Sequence, residues 1–289
     1  MARNVHSSGP NAIIPMRFPP LAGPYSVFGY AEPRGGTDPR KVNPMFWWLM
    51  KNVFLGPLLR LLYRPRVIGL ENIPTDGPAL LAANHQSFLD DLLLPLVVPK
   101  RKVVFLAKAE YFDKWYLRWF FKGANVIPVR RQSSSAAEAA LQAGVQALRE
   151  GKIVGIFPEG TRSPDGRLYR GKTGVARMAL EARAPVIPVS ISGTFEAMPY
   201  DRKLPKPGRV EVRFGRPLIF DRHYDTPADR FVLRSATDEI MYEIMMLSGQ
   251  EYVDEYATKV KQGTASPAER PEASPVSAKP REDSARFPR

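Results

Sequence analysis

Residues 84–91, Asn-His-Gln-Ser-Phe-Leu-Asp-Asp, place one of the chain's three histidines five positions before a carboxylate. The runs on either side, 78–83 and 92–98, are almost wholly apolar. An imidazole is the side chain best suited to move a proton near neutral pH. A carboxylate beside it can fix its tautomer and stabilise its cation. On one continuous helix His85 and Asp90 would diverge by roughly 140°. They converge only if His85 sits in a turn and Asp90 in the first helical turn that follows. The same residues also read as a capping box, with Ser87 as N-cap and Asp90 three positions on. Capping accounts for Ser87 and Asp90 but not for Asn84 or His85, and the residues alone leave both readings open.

A second polar run follows an apolar one at 155–163, GIFPEGTRS. Gly160 permits a tight turn and a close approach by a ligand. Arg162 offers a planar fork of donors suited to phosphate, and Thr161 and Ser163 add hydroxyls. A plain surface turn with a solvated arginine would have the same composition. Further on, Lys172 and Gly174 stand at an expected helix start, where they are either a second phosphate contact or a solvated first turn.

The elements that must position these runs follow from periodicity. Strands are expected at 67–68, 79–83, 103–107, 126–129, 153–157, 186–191 and 210–214. Helices are expected at 87–98, 114–122, 134–150, 173–182 and 228–248. Alternation of this kind predicts an α/β fold with a largely parallel central sheet flanked by helices. Sites in such folds lie at the carboxyl ends of strands, which is where both polar runs fall.

The chain has 289 residues and a formal net charge of +13. Residues 1–43 carry five basic and two acidic groups, and 261–289 carry six and four, which leaves 31 basic and 23 acidic groups between them. The folded part is therefore itself basic and expected to meet acidic partners such as phosphate or an anionic membrane surface. There is no cysteine, which excludes disulfides, thiolate metal sites and a cysteine nucleophile. Three scattered histidines argue against a zinc site, and no metal is expected. The Pro- and Gly-rich residues 1–43 and the Pro/Ala/Ser-rich residues 261–289 read as disordered tails. The first 45 residues lack the continuous apolar run of a signal peptide.

Residues 44–63 are apolar and aromatic but are interrupted by Lys51, Pro57 and Arg60. They read as amphipathic membrane-interface helices rather than a span. Trp47 and Trp48 suit the headgroup level, and Lys51 and Arg60 could reach lipid phosphates. A core helix packed under the domain is the alternative. The main domain is expected over 64–260.

Taken together, the two polar runs resemble the glycerolipid acyltransferase family, the 1-acyl-sn-glycerol-3-phosphate acyltransferases and their relatives, over roughly residues 45–220. Asn84, His85 and Asp90 match its N-H-x-x-x-x-D motif, and 157–163 match F-P-E-G-T-R-S in full. Val186-Ile187-Pro188-Val189 matches an apolar V-x-P-V stretch, and Lys108 and Glu110 match F-L-A-K-x-E. The family's G-x-I-P-V-D-R is looser here. Asn125 takes the glycine place, Arg130 replaces the acid and Arg131 keeps the arginine.

The resemblance implies transfer of a fatty acyl group from coenzyme A or acyl carrier protein to the hydroxyl of a lysophospholipid. The favoured acceptor is 1-acyl-sn-glycerol-3-phosphate, giving phosphatidic acid. Glycerol 3-phosphate or another lysolipid is the alternative acceptor. His85 would be the general base and Asp90 its orienting partner. Lys108, Arg131 and Arg162 would hold the acceptor phosphate. Asn84, Gly160, Thr161 and Lys172 would line the substrate site, with Glu159 orienting the turn or the glycerol hydroxyl. No cofactor and no covalent acyl-enzyme are required. The implied partners are the lysophospholipid and an anionic membrane. The implied location is peripheral or monotopic on the cytoplasmic face of the cell membrane.

Two other classes compete. A non-catalytic membrane-binding module would use the basic charge and the tryptophans but would not need His85 and Asp90. An α/β-hydrolase would need a G-x-S-x-G elbow, which the sequence lacks. Nucleic acid is not an expected partner, because charge alone suggests it and no recognition motif accompanies the charge.

Overall fold

The run Ala79–Ala83 (β2) is buried along its whole length, as befits a strand covered on both faces. The structure is a computed structural model that describes residues 48–99, 101–108, 127–129, 134–202, 204–225 and 227–263. There β2 is the middle strand of a seven-stranded sheet. Its companions are β1 (Arg66–Ile68), β3 (Val103–Lys108), β4 (Ile127–Val129), β5 (Ile153–Ile156), β7 (Val186–Ser192) and β8 (Glu211–Phe214). Among the described residues the order is β1-β8-β7-β2-β5-β3-β4. The β7–β8 pair is antiparallel and the other pairs are parallel. This is the largely parallel α/β sheet expected from the alternation.

The helices are α1 (Leu55–Tyr63), α2 (Phe88–Val97), α3 (Ser134–Arg149), α4 (Gly174–Ala182), α5 (Thr194–Ala197), α6 (Arg230–Ser248) and α7 (Ala257–Lys261). Side chains on β2 alternate between two cores, as strand geometry requires. Leu80 and Ala82 join Val145 and Leu148 of α3, Val175 of α4 and Ile240 of α6. Ala79, Leu81 and Ala83 join Leu89, Leu93 and Leu94 of α2, with Leu59 and Tyr63 of α1.

Strand register creates the site. β2 and β5 are neighbours, and Ala82 pairs with Ile156. Both strands run the same way and leave the sheet at the same edge, so the loops that follow them meet.

α1 continues a wide helical turn over Met50–Phe54. Pro57 lies in the first turn of α1, where a missing N–H costs least. It cannot donate to the carbonyl four residues back, and the preceding backbone widens there. Leu59 and Tyr63 anchor α1 in the second core, whereas Trp48, Phe54, Leu58 and Leu61 are exposed. Among the described residues, no helix is long and apolar enough to cross a membrane.

α7 ends at Lys261, the first residue of the expected tail, and the fully buried Ala257 ties it to the domain. A two-stranded parallel ladder, β6 (Leu168–Tyr169) with β9 (Tyr252–Val253), was not expected, since two residues carry no readable period. α5 and α7 are likewise too short to show in the pattern. The expected helix at 114–122, Trp47, and the expected disorder of 1–43 and 264–289 lie outside the described residues.

Candidate active site

Asn84, the first residue after β2, is 1% exposed. Its side-chain oxygen accepts from the Ile191 amide at 2.7 Å, and its Nδ2 donates to the Ile191 carbonyl at 2.9 Å. The amide group thus extends the β2–β7 pairing by one rung. Nδ2 also donates to Gln250 Oε1 at 2.8 Å. Asn84 was expected to line the substrate site. Among the described residues its polar atoms fix the chain path into His85.

His85 is held through its backbone by the second loop. Its amide donates to Glu159 Oε1 at 2.9 Å, and its carbonyl accepts from the Ser163 amide at 2.7 Å. The ring stacks on Phe157 with centroids 4.0 Å apart and planes 14° apart. The side chain is 12% exposed, and Nδ1 lies 3.1 Å from Asp90 Oδ2. A proton on Nδ1 makes it the donor to Asp90 and leaves Nε2 to act as a base.

Asp90 is fully buried. Its Oδ2 also accepts from the Gln86 and Ser87 amides, each at 2.7 Å. Ser87 Oγ accepts from the Leu89 amide and completes the capping box of α2. Capping and imidazole contact therefore use the same carboxylate oxygen. The two readings of the sequence are not exclusive, because the cap is what aims the carboxylate. Asp90 Oδ1 is buried with no hydrogen-bond partner among the described residues.

Glu159, expected to orient the turn or the glycerol hydroxyl, is 1% exposed. Its Oε1 takes the His85 amide and its Oε2 takes the Tyr169 amide at 3.0 Å. Burial pushes its pKa up to about 8, and the two backbone donors only partly offset this. Glu159 is thus a tie between loops, and neither carboxylate oxygen is presented to a ligand.

The turn after Glu159 carries the exposed chemistry. Gly160 has φ +74°, and a Cβ there would sit 3.0 Å from Lys172 Cε and Nζ. Glycine is therefore favoured for its backbone, and a Cβ would also press on the end of the Lys172 side chain. The Lys172 amide donates to the Pro158 carbonyl at 2.8 Å, which sets the lysine stem against the turn. Thr161 Oγ1 accepts from Lys261 at 3.0 Å. The Arg162 guanidinium lies 4.7 Å from the centroid of the Tyr200 ring. His85, Arg162 and Lys172 are therefore gathered around one pair of loops. Lys108 ends β3, paired with Val129, and its side chain lies outside the described residues, as does Arg131.

Several residues of this network gave no signal in the sequence. Gln250, 166 positions from Asn84, bridges it to the Gly166 carbonyl, to which Gln86 also donates. A cavity of about 490 Å³ opens elsewhere, between α1 and the second half of α2, lined by Leu59, Arg60, Arg64, Leu93 and Leu96.

Comparison with known proteins gives the constellation a context. A family model described as Acyltransferase matches residues 64–192. The chain is 33% identical over 158 residues to the chloroplastic 1-acyl-sn-glycerol-3-phosphate acyltransferase LPAT1 of Arabidopsis thaliana, covering 54% of this chain and 44% of that one. It is 30% identical over 154 residues to the 1-acyl-sn-glycerol-3-phosphate acyltransferase of Bacillus subtilis, covering 53% and 73%. The crystal structure of the 1-acyl-sn-glycerophosphate acyltransferase PlsC from Thermotoga maritima matches with TM-score 0.50 and 31% identity, over 63% of this chain and 71% of that one. The match spans less than half the length of the Arabidopsis relative.

Proposed function

The chain belongs to the acyltransferase family, and from that premise we propose that it moves a fatty acyl group from an acyl thioester to the free hydroxyl of 1-acyl-sn-glycerol-3-phosphate. Phosphatidic acid is the product. The observation that carries this reading is the His85–Asp90 pair, 3.1 Å apart, beside the Arg162 turn at the carboxyl edge of β2 and β5.

A glycerol hydroxyl is a weak nucleophile at neutral pH and needs a base in contact with it. His85 Nε2 takes its proton while the oxygen attacks the thioester carbonyl. The buried Asp90 carboxylate favours the tautomer that leaves Nε2 bare and stabilises the imidazolium once formed. Collapse of the tetrahedral intermediate forms the ester C–O bond and breaks the C–S bond. The thiolate leaves and takes the proton back from His85. Arg162 and Lys172, with Lys108 and Arg131 by resemblance, hold the acceptor phosphate. An arginine fork and an ammonium are the donor types that phosphate oxygens fit.

The acceptor and product are lipids, and α1 presents Leu58 and Leu61 outward, with Phe54 and Trp48 exposed just upstream. That face supports peripheral or monotopic attachment to a membrane, and the resemblance would put it on the cytoplasmic side. The test is release of free thiol from oleoyl-coenzyme A, or from oleoyl-acyl carrier protein, in the presence of lysophosphatidate. Thiol release and phosphatidic acid should appear together and depend on both substrates. Release without acceptor would mean a thioesterase, and transfer only to glycerol 3-phosphate would reassign the acceptor.

A further inference from the structure

The Arg162 turn is held from outside the matched region 64–192. Lys261, the last residue of α7, donates from Nζ to Thr161 Oγ1 at 3.0 Å and to the Arg162 carbonyl oxygen. Its ammonium lies 3.9 Å from the centroid of the Tyr200 ring. The Arg162 guanidinium lies over that same ring. Two cations thus share one aromatic platform, and one of them also grips the backbone of the other.

The grip comes from an anchored element. β9 pairs with β6, so Tyr169, whose amide binds Glu159, is registered against Val253. The Arg170 amide donates to the Val253 and Glu255 carbonyls, each at 3.1 Å. Ala257 is fully buried. Gln250, at the start of this segment, reaches Asn84 and the Gly166 carbonyl. Residues 250–261 therefore close over both loops of the site, and Lys261 is the end of that clasp.

We propose that Lys261 is a positioning residue for the acceptor phosphate, acting through Arg162. Resting on the reading of the Arg162 turn as the phosphate site, this inference adds how the turn is fixed in advance. Two hydrogen bonds from one ammonium to adjacent residues remove the turn's freedom before the ligand arrives, and less order is lost on binding. Charge-assisted bonds are the strong kind for this purpose. The shared ring attracts both cations and sets where the Arg162 fork lies. The effect belongs to ground-state binding, so it should appear in KM for the charged acceptor and leave kcat nearly alone.

The test compares wild type, Lys261→Met and Lys261→Arg in the full chain. In Lys261→Met, KM for lysophosphatidate should rise about tenfold, the scale of one charged hydrogen bond, with kcat within about twofold. Lys261→Arg should recover most of the loss. Use of an uncharged monoacylglycerol, however slow, should not change. In an Arg162→Ala background, Lys261→Met should add little, because its route is already removed. Hydrogen exchange at the Gly160 and Ser163 amides, which bond the Phe157 and His85 carbonyls, should quicken in Lys261→Met. An unchanged KM, an equal loss on the uncharged acceptor, or full additivity with Arg162→Ala would each overturn the proposal. If wild type transfers nothing to lysophosphatidate, the phosphate reading fails by itself. The exchange rates then still decide whether Lys261 holds the turn: unchanged rates refute it and faster rates sustain it.

Discussion

Asp90 and Leu61 stand for two chemically opposite regions of this molecule, a polar pole and an apolar one. Asp90 is completely buried and takes two backbone amides and an imidazole on a single oxygen. Leu61, on α1, is 72% exposed, and Leu58 one turn away is 51% exposed. Around His85 the polar groups are committed to one another, so geometry is settled before substrate arrives. Along α1 the apolar surface stays open and can be covered only by something outside the described residues. Proton transfer needs positions fixed to within tenths of an ångström, whereas attachment to a bilayer needs area and tolerates sliding. The two regions touch through α2, whose first turn carries Asp90 and whose Leu93 shares a core with Leu59 of α1.

The comparison is broken most severely at its polar pole. His85→Ala should lower turnover by about 10²–10⁴. Asp90 keeps its two backbone donors in that variant, so the fold should persist. Asp90→Asn sharpens the point. Its oxygen can still serve the amides, but its NH₂ would occupy the buried place of Oδ1, which has no partner among the described residues. A comparable loss of rate is expected, together with about 1–3 kcal/mol of stability. A rate within tenfold of wild type for either variant would remove the imidazole–carboxylate pair from the mechanism.

At the apolar pole, Leu58→Asp with Leu61→Asp should cut binding to anionic vesicles by at least roughly 100-fold. Each removes about 1.5–3 kcal/mol of possible apolar burial, and the added negative charges oppose anionic lipid. The melting temperature should hardly move, since neither side chain is in the core. Thiol release with soluble short-chain substrates should persist. Unchanged vesicle co-sedimentation would return α1 to the status of a helix that merely covers the sheet.

These two regions also differ in how far the sequence discloses them. The strands, the long helices and the two polar loops are legible, because burial imposes period and chemistry imposes residue type. Ser87 and Asp90 disclose the cap, and the cap forces His85 into the turn. The ties between loops are not legible. Glu159 and Asn84 carry chemical side chains, but most of their partners are backbone groups of Tyr169, His85 and Ile191, and backbone groups have no residue type. Residue type alone therefore does not disclose that Asn84 fixes the chain path into His85 or that Glu159 ties the turn to β6. Gln250 and Lys261 lie too far along the chain for spacing to link them to the site. The exposed face of α1 is legible as apolar run and charge, but which face turns outward depends on the anchoring of Leu59 and Tyr63.

The smallest expected effect tests Glu159, the tie on which the polar pole depends. Its pKa is raised by burial from an ordinary 4.5 to about 8, with Asp90 adding to the rise and Lys261 opposing it. The folded chain therefore binds one more proton than the unfolded chain between these values. Stability falls wherever the native state binds more protons as pH rises. The contribution of Glu159 is thus complete below about pH 4.5, is lost as pH climbs toward 8, and levels off above. Glu159→Gln removes that titration but cannot accept from both the His85 and Tyr169 amides. It should be less stable than wild type by about 1–3 kcal/mol at pH 5, and the gap should narrow by pH 8. Denaturant midpoints of the two proteins at both pH values measure this directly. A gap that stays constant or widens toward pH 8 would mean that Glu159 is ionised across the range and that its two backbone donors outweigh its burial.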